Sequence, residues 1–410
     1  MGSRREFLKG AVAGGLGATT ALVAGQVVSN VIEGGASERP TGAKSTSSEP
    51  VRLSALGAHQ PGIDAEPLAS TTLLSLDIRP DVTIDQMRSW MTILADDIDR
   101  LMEHREMLAD PQPELTELKG RLAIVVGFGP SLFKKLDLEH MQPEGFAELP
   151  KFKIDKLVDS NCNGDILLMV SSDSPLQEAH AERSLLRDSS YFANLRWRQR
   201  GFSAIDPSSP LRSQRNLMGQ LDGTGSPQPG SESFNRSVWG QTDHDAQTNP
   251  SWYAGGTTLV YRKIEMNLDT WDVLDRKDKE KVIGRSLSNG APLGGTRETD
   301  FLDLNSRDDR GFLVIPGFAH VRQAQAAEGS LPLFRKPFNY VEHDSDGRTK
   351  AGLAWLAYAH NANEQYLPIQ KRLADFDLLN KWTTPVASAV FAIPRGRKKV
   401  SDPICGGLFA

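Results

Sequence analysis

Thr71-Thr-Leu-Leu-Ser-Leu-Asp-Ile78 is a short apolar run closed by Arg79-Pro80, and Thr83-Ile-Asp-Gln86 follows it at once. The run is predicted as a strand. Thr83 reads as an N-cap and Gln86 completes a capping box, each side chain satisfying an amide of the other residue. Ile84, Met87, Trp90, Met91, Leu94, Ile98 and Leu101 then recur at the spacing of one helix face. Further along, Leu122 to Gly127 is predicted as a buried strand, Asp165 to Ser171 as a second, and Leu176 to about Leu186 as a helix. Strand, helix, strand, strand, helix, strand is the order of a ferredoxin-like unit, and most of it is legible here.

The second half repeats the alternation. Gly256 to Ile264, Gly352 to His360 and Ser388 to Ile393 are predicted strands; helices are predicted from Leu268 to Gly284 and from Tyr366 to Trp382. The fold class is therefore α+β, with two ferredoxin-like units, each an antiparallel sheet packed with helices. The expected division is 57–210 for the first unit and 211–410 for the second. A chain of 410 residues is long enough for both.

With 47 basic and 52 acidic side chains the net charge is −5, and loss of Arg4, Arg5, Glu6 and Lys9 with a leader would make it −7. That balance argues against nucleic acid or an anionic membrane as partner. Two cysteines, Cys162 and Cys405, permit one disulfide at most, and two free thiols fit equally well. Ser3-Arg-Arg-Glu-Phe-Leu-Lys9 ahead of a Gly/Ala/Val-rich segment is the layout of a twin-arginine signal over residues 1–30. It implies export by the twin-arginine translocase to a periplasmic or extracellular location. Residues 31–56, rich in Gly, Ser, Thr, Pro and Glu, read as a disordered tether. Gly127-Phe-Gly129 fails the dinucleotide pattern because position 132 is Leu, which leaves a strand-to-helix turn. His104, His140 and His180 lie among charged residues and read as solvated; His59 reads as a packing residue.

Gly219-Gln-Leu-Asp-Gly-Thr-Gly-Ser-Pro227 is the stretch that carries chemistry. Three glycines and a proline force tight turns around one carboxylate, Asp222. Downstream come His320 in Pro-Gly-Phe-Ala-His-Val-Arg322 and Arg335 in Leu-Phe-Arg-Lys-Pro-Phe-Asn-Tyr340. In that order they resemble the signature of the dye-decolorising peroxidases, a family of haem enzymes. Gly255-Gly-Thr257, Ile283-Gly-Arg285, Gly352-Leu353 and Pro368-Ile-Gln with Arg372-Leu373 extend the likeness, which runs from His59-Gln-Pro-Gly-Ile63 to Pro394-Arg-Gly396.

The resemblance implies one haem b per chain, held in the C-terminal unit, with hydrogen peroxide as oxidant and an aromatic or phenolic reductant. It makes His320 the iron ligand, Asp222 the distal acid–base group and Arg335 the cation beside it. A carboxylate suits proton transfer, a guanidinium stays charged at any working pH, and a neutral imidazole pushes electron density onto iron. Gly223 and Thr224 accompany Asp222, Arg285 and Arg322 pair with the propionates, and Leu353 and Trp355 line the distal face. Asp377 reads either as the acceptor of the second imidazole N–H or as an exposed helix carboxylate. Relatives carry phenylalanine at the Trp355 position, Asn-Pro for Ser226-Pro227 and Arg-Arg-Gly for Arg335-Lys-Pro337. They work at mildly acidic pH and commonly form oligomers, and Trp239, Trp252, Tyr253 and Tyr340 are the aromatics available as electron relays. A haem-handling, deferrochelatase-like role in iron uptake, and a cofactor-free binding protein, are the competing readings. An absorption spectrum separates the last from the other two.

Overall fold

The computed structural model describes residues 52–240 and 249–410, apart from 117, 119 and 401. The leader and almost all of the tether expected before residue 57 lie outside the described residues.

The strands and helices of the first half follow in the expected order: β1 (Ser70–Ile78), α1 (Ile84–Met102), β2 (Leu122–Phe128), α2 (Pro130–Lys135), β3 (Ile166–Ser172), α3 (Pro175–Ser189) and β4 (Ala193–Phe202). The Thr83–Gln86 capping box that opens α1 is formed in both directions. A two-stranded hairpin follows, β5 (Gln214–Arg215) with β6 (Leu221–Asp222), and then α4 (Glu232–Trp239). The second half runs β7 (Thr257–Met266), α5 (Leu268–Asp272), α6 (Arg276–Ile283), α7 (His320–Gln323), β8 (Phe334–Arg335), β9 (Phe338–His343), β10 (Thr349–Ala359), α8 (Ala362–Gln365), α9 (Leu367–Phe376) and β11 (Thr383–Ile393).

Both halves use one strand order. The first sheet reads β2-β3-β1-β4 and the second β11-β7-β10-β9, all antiparallel, so each places its last and third strands beside its first. The sheets then join at their edges through single residue pairs, Ala392 with Phe128 and Phe202 with Asn339. Because β7 also pairs with β10, the eight strands close into a ring. Side-chain alternation turns this ring into two cores. Leu73, Val125, Leu167, Met169, Trp197, Leu259, Tyr261, Leu356, Tyr358 and Phe391 fill its interior. The opposite parity, including Leu74, Leu76, Ile124, Val126, Leu168 and Val170, packs outward beneath α1 in one cluster with its Trp90, Met91 and Leu94. Each such aliphatic or aromatic side chain contributes about 1.5–3 kcal/mol when fully buried.

Three expectations change on contact with the structure. The single helix from Leu268 to Gly284 is two, because Asp275 caps a fresh start at Arg276. His180 is buried, not solvated, and its Nε2 donates to Asp110 at 3.1 Å; Pro175–Ser189 turns that face into the molecule. His104 is half-buried, donating to the Gly120 carbonyl at 2.9 Å. His59 packs as expected, stacked on Trp239 with ring centroids 3.7 Å apart. Cys162 and Cys405 are free thiols.

Candidate active site

Asp222 ends the β5–β6 hairpin, paired across it with Gln214. Asn216 organises the turn: its Oδ1 accepts from the Met218 and Gln220 amides, while its Nδ2 reaches Asp222 Oδ2 at 3.5 Å. The chain then leaves through Gly223 at φ +110°, a region that side chains with a Cβ rarely enter. That bend returns the Thr224 carbonyl to the Arg335 guanidinium, which donates to it at 2.8 Å. Arg335 Nη1 stands 3.6 Å from Asp222 Oδ1, so acid and cation form a largely buried pair.

The segment bearing Arg335 is tied down from behind. Its own amide donates to the Ser226 hydroxyl at 3.4 Å. The next residue, Lys336, turns away and donates to the carbonyls of Gly62 and Ala65, a site where burial draws its amine down to about 7. Gln214 closes on the Pro337 carbonyl. The two departures from the family pattern, at Ser226 and Lys336-Pro337, are thus both used to hold Arg335.

His320 begins α7, directly after the buried Ala319. Its Nδ1 donates to Asp377 Oδ2 at 2.6 Å. Asp377 is no exposed helix residue: α9 stops at Phe376, Asp377 turns to an extended conformation, and its other oxygen caps the Leu379 amide at 2.9 Å. Leu378 N donates to the Phe318 carbonyl, which locks the two segments together. Burial alone lowers the His320 pKa, but the charge and hydrogen bond of Asp377 outweigh it and the net shift is upward.

Asp222, Arg335 and the His320–Asp377 pair line one cavity of about 370 Å³, within the usual range for small-molecule sites. No hydrogen bond or ion pair links His320 to Asp222 or Arg335 among the described residues, although the charges of both reach its imidazole across the cavity they share. Ile264, Met266, Ile283, Leu353, Trp355 and Leu373 make the rest largely apolar. Leu353 and Trp355 reach it because alternate residues of β10 face the same way. Gly223, Thr224 and Arg285 are also on its lining, with Arg285 Nη1 donating to the Gly290 carbonyl at 2.7 Å. Arg322 is placed differently. Its guanidinium is engaged by the carbonyls of Leu304, Ile315 and Pro316, and it does not line the cavity. Trp239, Trp252, Tyr253 and Tyr340 are all buried packing aromatics.

Sequence reasoning missed Asn216 and Glu298. Glu298, almost fully buried, accepts from the hydroxyls of Ser209, Ser213 and Thr224. Nothing in Thr296-Arg-Glu-Thr-Asp300 distinguishes it from a solvated acid.

The donor set suits haem: one imidazole whose Nδ1 is already held, apolar walls, and three arginines on the lining, Arg262, Arg285 and Arg335. Comparison with known proteins decides the family. Models for the N-terminal and C-terminal parts of the Dyp-type peroxidases match residues 60–203 and 213–398. The chain belongs to the Dyp-type peroxidase family. It is 34% identical over 416 residues to the dye-decolorizing peroxidase of Thermobifida fusca (strain YX), an alignment covering 97% of this chain and 95% of that protein. The crystal structure of a DyP-type peroxidase from Cellulomonas bogoriensis superposes with a TM-score of 0.82 at 38% identity, covering 88% of this chain and 99% of the other. A deferrochelatase of Escherichia coli (strain K12) is 25% identical, with 84% of each chain covered. This Dyp-type peroxidase is accordingly a haem enzyme that uses hydrogen peroxide and a reductant.

Proposed function

We propose that this chain oxidises aromatic and phenolic donors, dyes among them, with Asp222 as the distal acid–base group, Arg335 as its cationic partner and His320 as the iron ligand. The observation that carries the reading is the Asp222–Arg335 pair, 3.6 Å apart on the wall of the cavity that His320 and Asp377 also line. Haem, taken as haem b at one per chain, supplies when bound the redox chemistry by which peroxide is reduced and a donor oxidised. The Asp222 carboxylate would take the proton from one peroxide oxygen and return it to the other, which departs as water, while the two electrons that the remaining oxygen requires would come from haem. Arg335 holds a fixed positive charge where negative charge develops on that departing oxygen. Asp377 fixes the His320 tautomer, so that Nε2 is the nitrogen turned to a metal, and makes the imidazole a stronger donor. Arg285 on the cavity lining is suited to a propionate.

The relative named dye-decolorizing peroxidase supports dyes as donors. Paired arginines at 4 and 5 support export through the twin-arginine translocase. The likeness to deferrochelatases favours a second reading, a haem-handling protein of an iron-uptake system. Steady-state oxidation of a phenol and of an anthraquinone dye, measured beside release of iron from bound haem, separates the two. Rapid peroxide-dependent donor turnover with haem retained fits the first; haem loss with poor turnover overturns it.

A further inference from the structure

We propose that Glu298 is a positioning residue for the peroxide site, holding the Asp222 loop and Arg335 in register through Thr224. The inference rests on Asp222 and Arg335 acting on peroxide as set out above. Glu298 is only 3% exposed, yet it forms no ion pair with a lysine or arginine among the described residues. Its carboxylate instead accepts three hydroxyl protons, from Ser209 at 2.7 Å, Ser213 at 2.8 Å and Thr224 at 2.6 Å. Two of those hydroxyls belong to the segment that enters β5, and Ser213 directly precedes Gln214, the strand partner of Asp222. The third belongs to the residue two beyond Asp222. One carboxylate thus clamps the loop on both sides of the catalytic acid.

The clamp extends to Arg335 and Arg285. The Thr224 carbonyl receives Arg335 Nη2, so the residue that Glu298 anchors by its hydroxyl also holds the guanidinium by its main chain. The Glu298 main-chain carbonyl accepts from Arg285 Nη1 at 3.3 Å. Arg335 and Glu298 act on Arg285 with opposite sign, so the carboxylate lies within electrostatic reach of this cationic wall. A fully buried acid held only by hydroxyls is costly to keep. Its placement under Thr224 gives that cost a use: preorganisation of a pair whose misplacement by about 1 Å can slow chemistry ~100-fold.

The test compares haem-loaded Glu298→Gln, Thr224→Val, Thr224→Ser and Asp222→Asn with the parent by stopped-flow peroxide mixing. Equilibrium cyanide binding and thermal melting are measured alongside. Glu298→Gln and Thr224→Val are expected to lower the peroxide rate and cyanide affinity at least about tenfold each. Thr224→Ser, which keeps the hydroxyl, restores both to within about threefold of the parent. Should Glu298→Gln fail to fold, the Thr224→Val and Thr224→Ser pair carries the comparison. Parent-like rate and cyanide affinity in Thr224→Val and Glu298→Gln, with Asp222→Asn slow, would overturn the role of Glu298. A parent-like rate in Asp222→Asn would instead overturn the reading on which it rests.

Discussion

Asp377 Oδ2 accepts the Nδ1 proton of His320 at 2.6 Å, from a residue that stands outside any helix, in the break between α9 and the single turn Leu378–Lys381. The break is what makes the contact. A continuous helix through Asp377 would not present this carboxylate as a cap to Leu379 and as an acceptor to His320 at once. The charge behind the imidazole therefore depends on a local backbone decision fifty-seven residues away.

Asp377→Asn keeps the shape and removes the charge. The imidazole becomes a weaker donor, so the iron reduction potential should rise and peroxide-dependent turnover should fall about 10–100-fold. Spectroelectrochemical titration of the haem-loaded variant checks the first, and dye oxidation the second. A potential equal to the parent's would remove Asp377 from the account.

Gly284 ends α6 at φ +90°, and a Cβ there would lie 2.3 Å from Val321 Cγ1 and 3.2 Å from the Ala319 Cβ. These are the two neighbours of His320. Gly284→Ala should cost roughly 1–2 kcal/mol from the left-handed conformation alone, with the clash adding to it. Because the displaced residues flank the imidazole, the loss should come with a changed Soret band. Thermal melting and an absorption spectrum test both parts.

Asp97, on the inner side of α1, carries a pKa raised to about 7 by burial, with the nearby Asp188 and Asp96 adding to the effect and Arg187 and Arg100 opposing it. In the unfolded chain the carboxyl titrates near 3.8. Between these values the folded state holds a proton that the unfolded state has lost. Stability therefore falls as pH rises through that window, and the full cost is in place above about 7. Asp97→Asn should raise the melting temperature by a few degrees at pH 8 and by clearly less at pH 4.5, near the foot of that window. Equal gains at both pH values would contradict the assignment.

Much of this was legible in the residues because local signals and tertiary structure agree. The Thr83–Gln86 box, the helix face from Met87 to Leu101 and the buried runs of β2 and β3 are patterns that packing only reinforces. Besides the two-residue strands β5, β6 and β8, two strands of the ring escaped for a physical reason. In β4 the sequence Arg196-Trp-Arg-Gln-Arg200 buries Trp197 and Gln199 while its arginines face out. In β9 burial ends after three residues, one of which is the polar Asn339. The closed ring was illegible for another reason: it depends on single residue pairs at two sheet edges, which leave no periodicity.

At the site, Asp222, His320 and Arg335 were readable because motif order marks them, and the structure brings all three to one cavity. Arg322 shows the limit. A charge two residues from the imidazole looks like a propionate partner, yet in this structure it donates to three carbonyls of its own loop and is off the cavity lining. Glu298 shows the converse, since an acid acquires its meaning only when three distant hydroxyls fold onto it.

The most direct test is stopped-flow mixing of the haem-loaded protein with hydrogen peroxide, following the Soret band in the parent, Asp222→Asn and Arg335→Leu. A fast change is expected in the parent, with rates lower by about 10²–10⁴ for Asp222→Asn and about 10²–10³ for Arg335→Leu and haem still bound. Variants that retain haem and react with peroxide as fast as the parent would contradict it.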